Sequence, residues 1–329
     1  MKIAILGAGF CGLASAWHLV QKGLKNCVIF DPLGIGKGAS GVAAGLLHPY
    51  AGSQAKKNLR ADSGVVATHH LLKAAETALG SPVILNKGLI RLAVSDKQKH
   101  DFAITASLYP DVHWLTAEEC QSKLGDKQLH PGIFIDSAIV VDCEKYLKGL
   151  WKACENAGVV FEKRRILSLT ELAQFDRILV TMGAAAKTLT ELKEIKVTPI
   201  KGQVLELKWP PGTSPLSLPI SSQAYVMMQP GGKNCIAGAT FERNFHTEGP
   251  DLNTALAEIM PKLQAFFPQM QPSLVIGCRA GIRASAPRHQ PLMEKIDKKS
   301  WVLTGMGSKG LLYHALYADE VTSLLLDSL

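Results

Sequence analysis

The sequence predicts an α/β protein that joins a helix-flanked parallel sheet to a mostly antiparallel one. Three observations predict it. The chain opens with the apolar run "KIAIL", glycines at positions 7, 9 and 12, a helical period, and a second apolar run ending in an acid. A strand–helix–strand pattern occupies residues 137–163. Residues 197–242 read instead as short strands broken by turns at Pro211-Gly212 and Pro230-Gly231-Gly232.

"KIAIL" suits a strand buried on both faces. "GAGFCG" follows at once and sets Gly7, Gly9 and Gly12 at the G-x-G-x-x-G spacing. "LASAWHLVQKG" keeps a helical period and stops at Gly23, and "CVIFD" ends in Asp31. Strand, glycine turn, helix, strand and acid in this order form the context of a Rossmann-type dinucleotide-binding unit. Gly7 permits the tight turn, Gly9 lets the backbone approach a pyrophosphate, and Gly12 lets helix and strand pack. The helix N-terminus offers N–H groups and a partial positive charge to the phosphates. Asp31 is placed to accept hydrogen bonds from an adenosine ribose.

The fingerprint does not separate NAD from FAD; the next segment does. "GASGVAAGLLHPYAG", residues 38–52, begins only seven residues beyond Asp31, where a plain dehydrogenase would build a helix and a third strand. Glycine at such density implies close approach to something that is not protein. Backbone N–H groups of Gly38, Ala39 and Ser40 would meet the far side of the pyrophosphate. Gly45, with Leu46 beside it, would pass against a flat ring system. The implied cofactor is FAD.

The remaining elements follow in order. A helix is expected over 59–79, strands within "VILNKGLIRLAVS" (83–95), and a polar helix near 96–108. "FDRILVTMGA" (175–184) reads as a strand and turn at Gly183. "LTGMGSKGLLYHA" (303–315) reads as a last strand, a glycine turn and a helix, with Gly305, Gly307, Ser308, Lys309, Gly310 and Leu311 at the turn. N–H groups there would face the flavin's pyrimidine edge.

Composition narrows the class. The 329 residues are 47% hydrophobic and 19% charged, which suits a globular protein with a large core. The net charge of +8 favours anionic ligands, nucleic acid among them. The basic clusters Lys56-Lys57, Lys163-Arg164-Arg165 and Lys298-Lys299 are scattered, however, and no zinc-finger, RRM or KH signature accompanies them. Seven widely spaced cysteines without a CxxC pair indicate reduced thiols in a cytoplasmic protein, with no disulfide frame and no metal site. No apolar run reaches the roughly 18 residues of a membrane span. G-x-S-x-G, HExxH and Walker A motifs are absent.

Together these segments resemble the D-amino-acid oxidase superfamily of FAD enzymes, particularly its glycine oxidase-like branch, over the whole chain. "VTPIKGQV" (197–204), with Lys201 where arginine is commoner, "IAGATFE" (236–242) and "RAGIRASAPRHQPL" (279–292) carry the likeness through the second half. "CRAGIRASAPRHQPL" and "GMGSKGLL" are also similar to the FAD domain of the bifunctional protein that matures 5-methylaminomethyl-2-thiouridine in tRNA, whose methyltransferase domain has no counterpart here. Tyr313 and His314 stand where that likeness puts small residues; they would either alter the pocket floor or only cap packing.

The resemblance implies two interleaved domains: an FAD-binding domain of residues 1–80, 138–197 and 275–329, and a substrate domain of 81–137 and 198–274 on the antiparallel sheet. It implies that Arg283 holds a substrate carboxylate bidentately; the other reading is a structural arginine paired with an internal acid. Arg279, on the same strand face, would add a second positive charge or support the loop. Tyr225 would point into the pocket or pack in the sheet. Superfamily members with covalent flavin use a histidine before the Ala-Gly pair. His48 follows it, so FAD is expected to be noncovalent and His48 a satisfied structural histidine.

The expected activity is oxidation of the C–N bond of a small amino acid or N-substituted glycine, with hydride transfer to flavin and hydrolysis of the imine. The alternatives are oxidation of a 5-carboxymethylaminomethyl wobble uridine in tRNA, and a flavin-binding protein without turnover. The sequence leaves the oligomeric state open.

Overall fold

The computed structural model describes residues 1–124 and 130–327; residues 125–129, within the expected 81–137 segment, and 328–329 lie outside the described residues. Two sheets organise the chain. The first has six strands in the order Leu292–Lys295, Ser300–Thr304, Arg177–Val180, Ile3–Leu6, Cys27–Phe30, Val160–Glu162. All of its pairings are parallel except that of the edge strand Leu292–Lys295. The opening strand sits inside this sheet and alternates as a two-residue period requires. Ile3 and Ile5 enter one core, and Ala4 and Leu6 enter another.

On the first face lie the helices Phe10–Gln21, Ala61–Leu79, Cys143–Asn156 and Gly310–Asp327, which pack on one another. The second face is covered by the irregular segment that carries Ile166, Leu172, Phe175 and Val197. The helices expected at 59–79 and 96–108 are present as Ala61–Leu79 and Asp96–Leu108. Ser95 caps the latter by accepting from the Gln98 N–H.

The second sheet has nine strands. Its main path runs Val275–Ser285, Thr198–Lys208, Asn234–Gly238, Tyr225–Met228, Ile220–Ser221, Ile84–Leu92, Gly132–Val141, Leu46–Leu47. Val112–Leu115 pairs with Gly132–Val141 off that path. Every pairing is antiparallel except that of Ile220–Ser221 with Ile84–Leu92. The helix Leu252–Gln264 covers one face. Strand pairing crosses the boundaries drawn from the sequence. Leu46–Leu47, the whole of Gly132–Val141, and Val275–Ser285 belong to this sheet, although parts or all of them were assigned to the other domain. No helix among the described residues is long and apolar enough to cross a membrane.

Tyr313 and His314 do not form a pocket floor. Both are fully buried behind the turn. The Tyr313 hydroxyl donates to the Leu59 carbonyl at 2.8 Å. His314 Nδ1 faces the Gly310 and Leu311 carbonyls, each at 3.1 Å, so Nδ1 carries the proton. Nε2 is then left to accept from the Tyr146 hydroxyl at 2.7 Å. The pair ties Cys143–Asn156 to the last helix, and burial lowers the His314 pKa from 6.5 to about 4. The unfolded chain therefore takes up this proton before the folded chain does. Stability is unaffected above pH 6.5, falls by about 1.4 kcal/mol per pH unit below it, and levels off near the folded value. Urea titrations across this window are expected to show the fall, and His314→Gln is expected to flatten it by one proton's worth.

Candidate functional site

A cavity of about 830 Å³ lies between the two sheets and receives residues from both. At one end is the glycine turn. An added Cβ at Gly7, where φ is +105°, would lie 2.6 Å from the Thr181 carbonyl oxygen. At Gly12 it would lie 1.8 Å from the Gly7 oxygen. The turn is thus clamped between the first helix and the Arg177–Val180 strand, whose Thr181 hydroxyl donates to the Leu6 carbonyl at 2.8 Å. Asp31 lines this end but is already engaged. Its carboxylate accepts from Ala8 N–H at 2.9 Å, Leu33 N–H at 2.8 Å and Gly34 N–H at 3.1 Å. Of about four acceptor positions on a carboxylate, one remains for a ribose.

In the residue 38–52 run, two of the four glycines are bare because protein backbone comes close. At Gly45, with φ +88°, an added Cβ would meet the Val141 oxygen at 1.8 Å; at Gly41 it would meet the Gly36 oxygen at 2.2 Å. Gly45 lines the cavity, and its lack of a side chain also admits the Gly132–Val141 strand on its other side. Ser40 lines the cavity, and its hydroxyl accepts from the Phe10 N–H at 3.0 Å, which ties the run to the first helix. Gly38 and Gly183 behave otherwise. Both line the cavity, and neither has an atom within 4 Å of an added Cβ.

The antiparallel sheet supplies the opposite wall. Arg283 on Val275–Ser285 lies across Gly202 of the neighbouring strand, whose added Cβ would fall 2.1 Å from the guanidinium. Among the described residues, no carboxylate lies within ion-pair distance of Arg283, and burial lowers its pKa. The internal acid is paired elsewhere: Arg279 Nε lies 2.9 Å from Glu206, and Arg279 does not line the cavity. Tyr225 does line it, with its hydroxyl over Gly238 and its pKa raised to about 12 by burial. Lys201 is turned away and buried, 3.9 Å from Glu242.

The closing wall is the turn Gly305–Leu311, all of which lines the cavity. Gly305 and Gly307 have φ of +79° and +56°. Lys309 reaches back over Tyr313, 5.4 Å from its ring centroid, while the first turn of Gly310–Asp327 presents its N–H ends to the cavity.

Three lining residues depart from the sequence reading. His48 is not satisfied: its Nδ1 is buried without a partner, and burial followed by the nearby Arg91 charge lowers its pKa to about 3. Arg91 was missed, although an arginine inside the apolar run "GLIRLA" is a legible signal. Cys11 was missed too, and burial raises its thiol to about 12, so it is not a thiolate. Among the described residues no group of His, Cys, Asp and Glu could hold a metal ion.

A family model described as FAD dependent oxidoreductase matches residues 2–324. The tRNA 5-methylaminomethyl-2-thiouridine biosynthesis bifunctional protein of Hydrogenovibrio crunogenus is 24% identical over 96% of this chain and 50% of its own length. The chain thus spans about half the length of that relative. The glycine oxidase of Bacillus licheniformis is 23% identical over 98% of this chain and 92% of its own. Among solved structures, glycine oxidase from Geobacillus kaustophilus has a TM-score of 0.84 at 19% identity, covering 99% of this chain and 94% of that one. Iminodiacetate oxidase from Chelativorans has a TM-score of 0.83 at 19% identity, covering 99% and 95%. These structures share the fold.

The cavity fits FAD. Two helix N-termini open on it, and Gly38 and Gly183 leave a trough that side chains would fill. Gly38 has an ordinary φ of −90°, so a side chain there causes no backbone strain. Gly38→Val is expected to weaken flavin retention by about tenfold or more, while the apoprotein's unfolding free energy from urea melts stays unchanged within about 0.5 kcal/mol. Flavin fluorescence in the dialysate checks the first, and the melt checks the second.

Proposed function

The chain belongs to the DAO family of FAD-dependent oxidoreductases, and from that premise we propose that it oxidises a glycine-type amine whose carboxylate binds Arg283. The observation that carries this reading is Arg283 itself. A guanidinium held inside a cavity with no acid partner among the described residues is costly unless an anion completes it. A bidentate carboxylate would do so and would fix the adjacent carbon in one orientation.

Bound FAD supplies the acceptor for the hydride equivalent that leaves the substrate's C–H bond. Gly7, Gly9, Gly12 and the first helix would hold its pyrophosphate, with Gly38–Ser40 opposite, and Asp31 its ribose. Leu46, Gly183 and Gly305–Leu311 would line the ring system. Tyr225, kept a neutral phenol by burial, would donate to the same carboxylate as Arg283. Asp31 is the only carboxylate lining the cavity among the described residues, and it sits at the nucleotide end, whereas Arg91, Arg283 and Lys309 all contribute positive charge. That field disfavours a protonated substrate amine, and the neutral amine is the form able to give up its C–H electrons. Loss of the nitrogen proton then leaves an imine, which water hydrolyses to a carbonyl compound and an amine.

FAD would be noncovalent, because Cys11 is held as a thiol and His48 sits after, not before, the Ala-Gly pair. Acid precipitation is then expected to leave all colour in the supernatant as FAD. Five of the seven cysteines are buried and none is bonded to another, which suits a reducing cytoplasm.

One observation favours the tRNA reading. Phe241 lines the cavity yet is 50% exposed, with the Arg243 guanidinium 5.5 Å from its ring centroid and Lys262 also lining the cavity. An aromatic face flanked by cations is a base-stacking platform. Such binding would collapse between about 50 and 200 mM salt, whereas turnover of a free amino acid would be nearly unaffected.

Arg283→Gln is expected to raise KM for carboxylate amines by about tenfold to a hundredfold, the equivalent of about 1.5–3 kcal/mol. The kcat/KM profile should also shift to higher pH, since a positive charge is lost. An unchanged KM would remove Arg283 from the site.

A further inference from the structure

The cavity has a second polar end that the Arg283 clamp does not use. Arg91, on the strand Ile84–Leu92, is only 7% exposed and lines the cavity. It donates to the Tyr50 carbonyl at 2.5 Å and to the Gly52 carbonyl at 2.7 Å. A guanidinium has five N–H donors, so these two bonds leave part of the fork unused. Its carbon lies 5.1 Å from the Phe102 ring centroid, and no carboxylate among the described residues is within ion-pair distance. His48, near enough to feel the Arg91 charge, and Ser222, next to the Ser221 that pairs with Arg91, line the same cavity, with His48 Nδ1 and Ser222 Oγ buried without hydrogen-bond partners among the described residues.

The register places this group on the same wall as the clamp. Ser221 pairs with Arg91 on one side and with Tyr225 on the other. A bound molecule lying along the wall would therefore meet Tyr225 and Arg283 at one end and Arg91, His48 and Ser222 at the other. Two buried polar atoms without partners and a buried cation without an acid form a set of groups that a single anion would satisfy. Their burial favours a small terminal group over a polymer backbone, and the planar fork matches a carboxylate.

We propose that Arg91, His48 and Ser222 form a second anion subsite, which takes a carboxylate at the far end of the substituent on the substrate nitrogen. The substrate class is then an N-carboxymethyl amine that bears a second acid group. This rests on the reading of Arg283 as the clamp for the first carboxylate.

Ethers of glycolic acid test it without turnover, because they carry the first carboxylate but no oxidisable amine. Two series are compared by calorimetry on the FAD-loaded protein, with one to five methylenes ending in either a carboxylate or the isosteric carboxamide. At the best length the carboxylate is expected to bind at least about tenfold more tightly than its carboxamide. Arg91→Gln should abolish that preference while leaving carboxamide affinity within about twofold. Because Arg91 also holds two carbonyls, Ser222→Ala and His48→Phe serve as milder variants, each expected to reduce the preference severalfold. Equal affinity of the two series at every length would overturn the subsite while leaving the Arg283 clamp standing. If no member of either series binds, the clamp fails and this inference fails with it.

Discussion

A side chain on residue 45 cannot exist in this fold: the Val141 carbonyl oxygen occupies its place at 1.8 Å. That contact is where the loop leaving the parallel sheet is laid against the antiparallel sheet, and it is reinforced by the Val141 N–H, which donates to the Gly45 carbonyl at 2.8 Å. Nearby, Gly281 brings the strand Val275–Ser285 to within 3.0 Å of Ala39 when a Cβ is added. At both places the loop that follows the parallel sheet's Asp31 is laid on the antiparallel sheet through bare backbone. The same loop contributes Gly38–Ser40 and Val42–Leu46 to the cavity wall.

Charge is distributed along the cavity as unevenly as shape. The nucleotide end has helix N–H groups and one acid, Asp31, whose oxygens are spent largely on the turn itself. The other walls have arginines without acids. On the same strand, Arg279 is neutralised by Glu206 and Arg283 is not, although four residues on one strand face separate them. That contrast supports the proposal that Arg283, and not Arg279, binds the ligand. It also explains how the site would favour a neutral amine, with Asp31 the only lining carboxylate among the described residues.

Much of this was legible in the sequence, for identifiable reasons. The glycine fingerprint was legible because its three glycines obey local steric rules, which hold wherever strand, turn and helix follow one another. The parallel and antiparallel parts were legible from period and turn residues. Strand membership was not: Leu46–Leu47 and Val275–Ser285 each pair with a strand distant in sequence, and pairing across such distances leaves no local mark. The approach of Val141 to Gly45 was hidden for the same reason, since close approach announces itself but the approaching partner does not. His48 looked like an ordinary satisfied histidine, and only the packed cavity shows its Nδ1 unpaired. Tyr313 and His314 stood between shaping the pocket and capping the packing, and helix rotation decides for packing by turning both into the core.

The central claim is that a carboxylate-bearing amine, oriented by Arg283, gives up two electrons in this cavity. Anaerobic mixing of the FAD-loaded protein with glycine, sarcosine and longer N-substituted glycines tests it most directly. The account predicts that the flavin's visible absorption is lost with at least one of them and that the product carbonyl compound appears in equal amount. A flavin that stays oxidised with every carboxylate amine, yet is still bleached by dithionite, would contradict it.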